Sequence, residues 1–345
     1  MSRVNNFSPP ARRALVAGAC ALVIGLLKLA APVLEPILLG IFIAIIATPG
    51  LQWLRRHGVP KWVALALITF LLVQAGSLFA LLTTGAVEGF RESFPGYQAR
   101  FIALSEQFGH WAESVGIGGS TEALPDLLDP AKVSAGVRLL LSSASSLFAE
   151  GFLIILIVVF ILLEASTFPT KLAAAFDMGS DGAARLQRVL GSVNHYMRIK
   201  CGMALLTAAG AWLMLWVFGI DFALLWAILT FLLYFIPVVG GIVMMVPPVF
   251  MALVVSDWQT TLLVAGGYVA LNIVIGEILE TKAMGKGLGI SALTVLIALL
   301  FWGWLFDIVG MFLAVPLTTA LVIALEASPH TRPLAILLAS SPEPG

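Results

Sequence analysis

Asp307 is a lone acid set between Leu305-Phe306 and Ile308-Val309 in an otherwise apolar stretch. An ionisable group in such surroundings is costly unless water, a partner or a cavity receives it. At a hairpin tip on a membrane surface it is an ordinary solvated residue. At a tip that sinks into the lipid it becomes a cation or proton site. Glu277 is the second acid of interest. It follows Asn272 near the end of an apolar leg, with Glu280, Lys282 and Lys286 close behind. Glu280 and Lys282 are expected to pair at the interface. Lys28, at the end of the first apolar run, is expected to snorkel, toward Glu35.

The other candidate groups belong to the main chain. Phe235-Ile236-Pro237-Val238-Val239-Gly240-Gly241 cannot remain regular helix. Pro237 deletes a backbone hydrogen bond and clashes with the preceding turn, and Gly240 and Gly241 permit unusual dihedrals. Pro247 adds a weak point on the returning leg. Gly310 and Pro316 stand in similar places farther along. Unpaired backbone at membrane depth is tolerated only where protein buries it or a wet cavity receives it. There its carbonyl and N–H groups coordinate a solute or an ion. At the membrane surface the same breaks are plain turns.

Covalent chemistry has no comparable support. The sequence carries no Walker A sequence, H-E-x-x-H, C-x-x-C or G-x-S-x-G. Its four histidines, His57, His110, His195 and His330, are scattered. The reading is therefore a non-enzyme without cofactor or metal site. Cys20 and Cys201 are expected to be reduced packing residues.

The elements that must position these residues form a repeated pattern. From Gly219 the chain reads Gly-Ile-Asp, an apolar run, Val239-Gly240-Gly241 and Val246-Pro247; from Gly289 it reads Gly-Ile-Ser, an apolar run, Val309-Gly310 and Val315-Pro316. The spacing from Gly219 to Gly241 is 22 positions and from Gly289 to Gly310 it is 21. A straight helix of about 35 residues would run about 50 Å, against a hydrocarbon core of about 30 Å, so each unit is expected to fold back on itself. Interrupted hydrophobic segments in corresponding halves point to a transporter site.

Composition places the chain in a membrane. It is 60% hydrophobic and 11% charged, where soluble domains carry about 25% charge, and its mean hydropathy is +1.03. Apolar runs at 14–31, 37–48, 62–84, 147–163, 203–218 and 260–275 are candidate spans. Arg3, Arg12, Arg13, Arg55, Arg56, Lys61 and the cluster from Lys171 to Lys200 mark the cytoplasmic side, while residues 88–145 hold four basic and seven acidic residues and are placed outside. Both termini are then cytoplasmic. The segment at 260–275 crosses once between the repeats, so they enter from opposite faces as an inverted repeat. No basic patch interleaved with aromatics suggests nucleic acid.

The outside segment carries Phe90, Phe94, Tyr97, Phe101, Leu104, Phe108, Trp111 and Val115 on one helix face. The clean helix is expected to begin at Pro95. Its stripe packs on its own membrane domain or on a second subunit. A cytoplasmic amphipathic stretch, including Leu186, Val193, Tyr196 and Met197, is read as an interfacial helix.

The block from Phe235 to Gly241 with Pro247 resembles the signature of the autoinducer-2 exporter (AI-2E, PerM-like permease) family. Glu280 to Ser291, Phe301 to Phe306, Val309-Gly310-Met311 and Ala314 to Leu317 are similar to its later blocks. The chain departs from the common pattern at Thr281, where relatives have Pro, and at Asp307, where they have Gly. The resemblance implies a bacterial inner-membrane secondary transporter or exporter of a small solute. Members are associated with autoinducer-2 export, others with sodium/proton exchange.

The expected fold is therefore all-α: a polytopic membrane helix bundle with two Pro/Gly-interrupted hairpins in an inverted repeat, plus an extracytoplasmic amphipathic helical segment. Its parts are N-terminal spans (1–86), the outside segment (87–146), a fourth span with the interfacial helix (147–201), a transport core (202–326) and a cytoplasmic tail (327–345). The expected pathway residues are Pro237, Gly240, Gly241, Pro247, Glu277, Asp307, Gly310 and Pro316. The expected partners are a small-molecule or ion substrate, the bilayer and further copies of the chain. The alternatives are a sodium (cation)/proton antiporter and a non-transporting scaffold assembled through the aromatic stripe.

Overall fold

The computed structural model describes residues 9–114, 151–164, 180–284, 291–326 and 331–338. Among them every regular element is a helix. In chain order these are α1 (Pro9–Leu29), α2 (Ala31–Arg56), α3 (Lys61–Ser114), α4 (Gly151–Glu164), α5 (Ser180–Val217), α6 (Ala223–Leu233), α7 (Val239–Val243), α8 (Val246–Val255), α9 (Trp258–Leu271), a π-helical stretch (Asn272–Leu279), α10 (Glu280–Met284), α11 (Ala292–Glu326) and α12 (Arg332–Leu338). Five helical segments are long and apolar enough, by length and composition alone, to cross a membrane: Ala31–Arg56, Lys61–Phe79, Gly191–Val217, Trp258–Met284 and Leu293–Glu326, the last interrupted at Phe306 and Asp307. The chain is an all-α, multi-pass membrane bundle, as its composition requires.

Lipid-facing positions carry large apolar side chains, among them Leu26, Trp216, Leu263 and Leu300. Several close helix contacts use small residues, because lipid solvates a leucine as well as protein does and close packing favours association. Ala44 and Ala64 are buried in a cluster of α2, α3 and α4 with Ile154 and Val158. A side chain at Gly267 would overlap Met214, so α9 approaches α5 closely there. The largest core joins α2 and α5 to the two broken units, around Phe42, Leu215, Trp226, Phe235, Tyr268 and Phe312. A third cluster seats α1 and α2 residues against Leu305 and Phe306.

Two boundaries differ from expectation. The outside helix does not start at Pro95, since α3 runs unbroken from Lys61 to Ser114 with Pro95 inside it. One lost hydrogen bond bends an established helix without ending it. The interfacial helix likewise does not end near residue 201, because α5 continues from Ser180 to Val217. Val193, Tyr196 and Met197 are buried in the main core rather than laid on a membrane surface. The stripe's Tyr97 donates a hydrogen bond to Asp221 of its own chain at 2.8 Å. Val115 and residues 116–146 lie outside the described residues.

Candidate functional site: a strained hairpin tip against a buried ion pair

The first broken unit turns sharply at Val238. Its backbone sits at φ 62, ψ −60, and the Val239 N–H donates to the Pro237 carbonyl at 2.6 Å. This is a γ-turn of the strained hand, forced on a β-branched residue that disfavours positive φ. The returning chain passes so close that a side chain at Gly240 would overlap the Leu233 carbonyl. Only glycine fits there. Pro247 then occupies the first turn of α8, where its missing N–H costs nothing, and is buried.

The second broken unit is also interrupted, but not by a γ-turn. Within α11, Phe306 (φ −128, ψ 25) and Asp307 (φ 49, ψ −134) leave helical geometry. A side chain at Gly310 would overlap the Trp302 carbonyl, as one at Gly240 would overlap Leu233. Gly310 and Pro316 are buried. Phe235, beside the first tip, lies 6.2 Å from Phe312 on the second unit's returning leg. Each outgoing leg is short: Ala223 to Tyr234 rises about 17 Å and Ala292 to Leu305 about 20 Å.

Behind the first tip lies the polar centre of the protein. The Lys200 ammonium is 2.8 Å from Glu280 Oε1. The Tyr234 hydroxyl donates to Glu280 Oε2 at 2.5 Å, and Lys200 Nζ stands 4.5 Å from the centre of the Tyr234 ring. Among the described residues Lys200 and Glu280 are the buried charged side chains, 8% and 9% exposed. Thr207, fully buried, bonds the Met203 carbonyl and meets Tyr234. Thr230 and Tyr268 share a contact at 3.4 Å. Asn272 faces the returning chain: a side chain at Gly241 would lie 3.0 Å from its amide, and one at Gly276 would lie 3.2 Å from its oxygen.

The π-helical stretch explains how Glu280 comes to face inward. An α-helix turns about 100° per residue, which would put Glu280, 12 positions past the buried Tyr268, about 120° away from the core. The i→i+5 ladder over Asn272–Leu279 turns less per residue. It rotates Glu280 back toward α5 and leaves Leu279 exposed.

The family's sequence profile, that of the AI-2E family transporter, matches residues 15–330. The chain belongs to the AI-2E transporter family. Its relatives include the AI-2 transport protein TqsA of Escherichia coli, 34% identical over 90% of this chain and 91% of TqsA. A relative from Haemophilus influenzae named as a transport protein is 36% identical over 95% of this chain and 96% of its own length. YhhT of Escherichia coli, also named as a transport protein, is 32% identical over 90% of this chain and 88% of its own. The protein is a membrane transporter.

The AI-2E family member brings Pro237, Gly240, Gly241 and Pro247 together at its first tip, and Asp307 and Gly310 at its second. Glu277 is exposed. Asp307 is exposed too, its side chain 75% so, and lies 3.8 Å from Lys28. Lys28, expected toward Glu35, also donates to the Leu305 carbonyl at 3.3 Å. Glu280 does not pair with Lys282, which is exposed; the helix register gives it Lys200 instead. The sequence reading missed Lys200, Tyr234 and Asn272 as site residues. The sequence signal for Lys200 is its place at the head of the apolar run from Cys201.

Proposed function

We propose that this protein is a secondary transporter of the bacterial inner membrane that moves a small polar solute of the autoinducer-2 type, driven by an ion gradient. Both termini are cytoplasmic in this reading, and the two broken hairpins enter from opposite faces as an inverted repeat. Alternating access follows from such a repeat when one unit rocks against the rest. The observation that carries the proposal is the strained γ-turn at Val238 set against buried polar residues. Strained backbone persists where surrounding structure over-determines it, and it collects at switching elements. Legs of about 17 and about 20 Å are too short to cross a core of about 30 Å, which supports tips that end inside the slab. The parallel overlap at Gly240 and Gly310 supports a duplicated device. TqsA, by its name an AI-2 transport protein, supplies the solute class.

In the mechanism, the outgoing leg α6 and the returning legs α7 and α8 form the moving unit. Pro237, Gly240, Gly241 and Pro247 are its hinge residues. Asn272 presents an amide to whatever enters beside the tip, while the Tyr234 hydroxyl is held by Glu280. Gly310 and Pro316 serve the second unit, and Lys28 with Asp307 latches its tip. The solute passes without covalent change.

The test is flux in proteoliposomes loaded with autoinducer-2, with and without an imposed pH or sodium gradient. Gradient-dependent movement is expected. Movement that is absent, or indifferent to every gradient, contradicts the reading. The antiporter reading is favoured by one observation, the buried Lys200–Glu280 pair; sodium-driven proton movement without any solute would support it. Exchange that survives both Glu277→Gln and Asp307→Asn would exclude those two acids from it.

A further inference from the structure

We propose that Glu280 is a proton-binding site and that its protonation releases the tip of the first hairpin. The inference rests on the carrier reading above and names the ion and the group that would drive it. The geometry is that of a latch. Glu280 Oε1 accepts from Lys200 on α5 and Oε2 accepts from Tyr234, the residue that ends α6. Tyr234 is followed directly by the segment that leads into the turn at Val238. The carboxylate therefore ties the moving unit to the static α5.

The groups facing Glu280 are few. From α5 they are Lys200 and the buried Tyr196, which lies within electrostatic reach of the carboxylate. From α6 there is Tyr234. Tyr268 on α9 is engaged with Thr230 instead. On its own helical segment Glu277 and Lys282 are exposed. Cys201, next to Lys200 in the chain, is half-buried. The ionised cluster holds one positive and one negative charge and is neutral.

Adding a proton changes the bonding at both ends. A hydronium ion gives up one O–H bond and leaves as water, and its proton forms an O–H bond at Oε2. The new O–H and the Tyr234 O–H then both present hydrogens, so the tyrosine must turn away or become the acceptor. Lys200 is left as an uncompensated buried cation, which is strongly unfavourable. Both effects loosen the tip, and relaxation of the strained γ-turn at Val238 favours its departure. Loss of the proton restores the carboxylate, re-forms both hydrogen bonds and draws the tip back.

Two readouts on the full chain in proteoliposomes test this. The first is an infrared spectrum of the carboxyl region recorded from about pH 9 to about pH 4. A carboxylic-acid carbonyl band should grow in as pH falls in the wild type and be missing from Glu280→Gln. Because an unpaired Lys200 threatens folding of that single variant, Lys200→Met/Glu280→Gln, which removes both charges, is measured beside it. Identical titrations in all three proteins overturn the proposal. The second readout is movement of labelled autoinducer-2. The double variant should keep equilibrium exchange and lose its response to an imposed pH gradient. A wild-type response in that variant overturns the proposal. A Glu280-dependent band in a wild type that moves no autoinducer-2 defeats the solute reading and supports the proton site. Solute movement without that band defeats the proton site and leaves the carrier.

Discussion

The rings of Phe235 and Phe312 lie 6.2 Å apart and tilted by 54°, so the tip of the first broken hairpin rests on the returning leg of the second. Phe42 and Phe231 complete the cluster, each 5.5 Å from Phe235 and close to perpendicular to it. A change of position in either unit must pass through this contact. Phe312→Ala should destabilise the protein by about 2 kcal/mol, less than a phenylalanine truncation costs in a water-soluble core, because lipid solvates apolar groups in the open state. Thermal unfolding in detergent reads the loss. An unchanged midpoint would show that the two units do not depend on each other.

Gly240 and Gly310 should be intolerant of any side chain. A methyl group at either would overlap a backbone carbonyl, Leu233 or Trp302, which cannot swing aside as a side chain can. Gly240→Ala and Gly310→Ala should each lower the yield of monodisperse protein severalfold on fluorescence-detected size exclusion. Gly266→Ala, with nothing within 4 Å, is the control and should behave as wild type.

Lys200 and Glu280 should show strong non-additivity. Lys200→Met leaves a buried carboxylate without its cation and should cost about 3–5 kcal/mol, whereas Lys200→Met/Glu280→Gln should recover most of that loss. Unfolding midpoints of the single and double variants measure the coupling. Additive losses would mean that the pair is solvated in the membrane.

Tyr97 and Asp221 give a pH dependence at the end of α5. Burial, and then the hydrogen bond to Asp221, raise the Tyr97 hydroxyl above the usual tyrosine value. The folded state therefore holds this proton more tightly than the unfolded chain. The stabilisation is fully present below the unfolded value, near pH 10, and is lost as pH rises through the higher folded value. Tyr97→Phe should abolish that alkaline component of the stability curve and lower the neutral plateau by about 1 kcal/mol, the worth of the lost hydrogen bond.

Much of the fold was legible because bilayer chemistry constrains it tightly. The apolar runs at 37–48, 62–84, 203–218 and 260–275 coincide with helices of crossing length, and Pro237, Gly240 and Gly310 marked the breaks, since proline and glycine act on the backbone whatever their surroundings. The site was less legible. Reading Glu280 as an interfacial partner of Lys282 assumed α-helical register, and the π-helical stretch at Asn272–Leu279 turns that residue by a large fraction of a circle. Lys200 looked like one more cytoplasmic base because its burial depends on α6 and α10, which arrive from distant sequence. Pro95 does not start a helix, because the helix from Lys61 absorbs it.

The central claim is that the first hairpin tip moves against the bundle. Spin labels at Val238→Cys, on the tip, and Leu262→Cys, on the exposed face of α9, with Cys20 and Cys201 replaced by serine, report that distance by pulsed electron resonance in lipid nanodiscs. The account predicts two distance populations whose weights shift on adding autoinducer-2 or lowering the pH. A single distribution, unchanged under every condition, would contradict it.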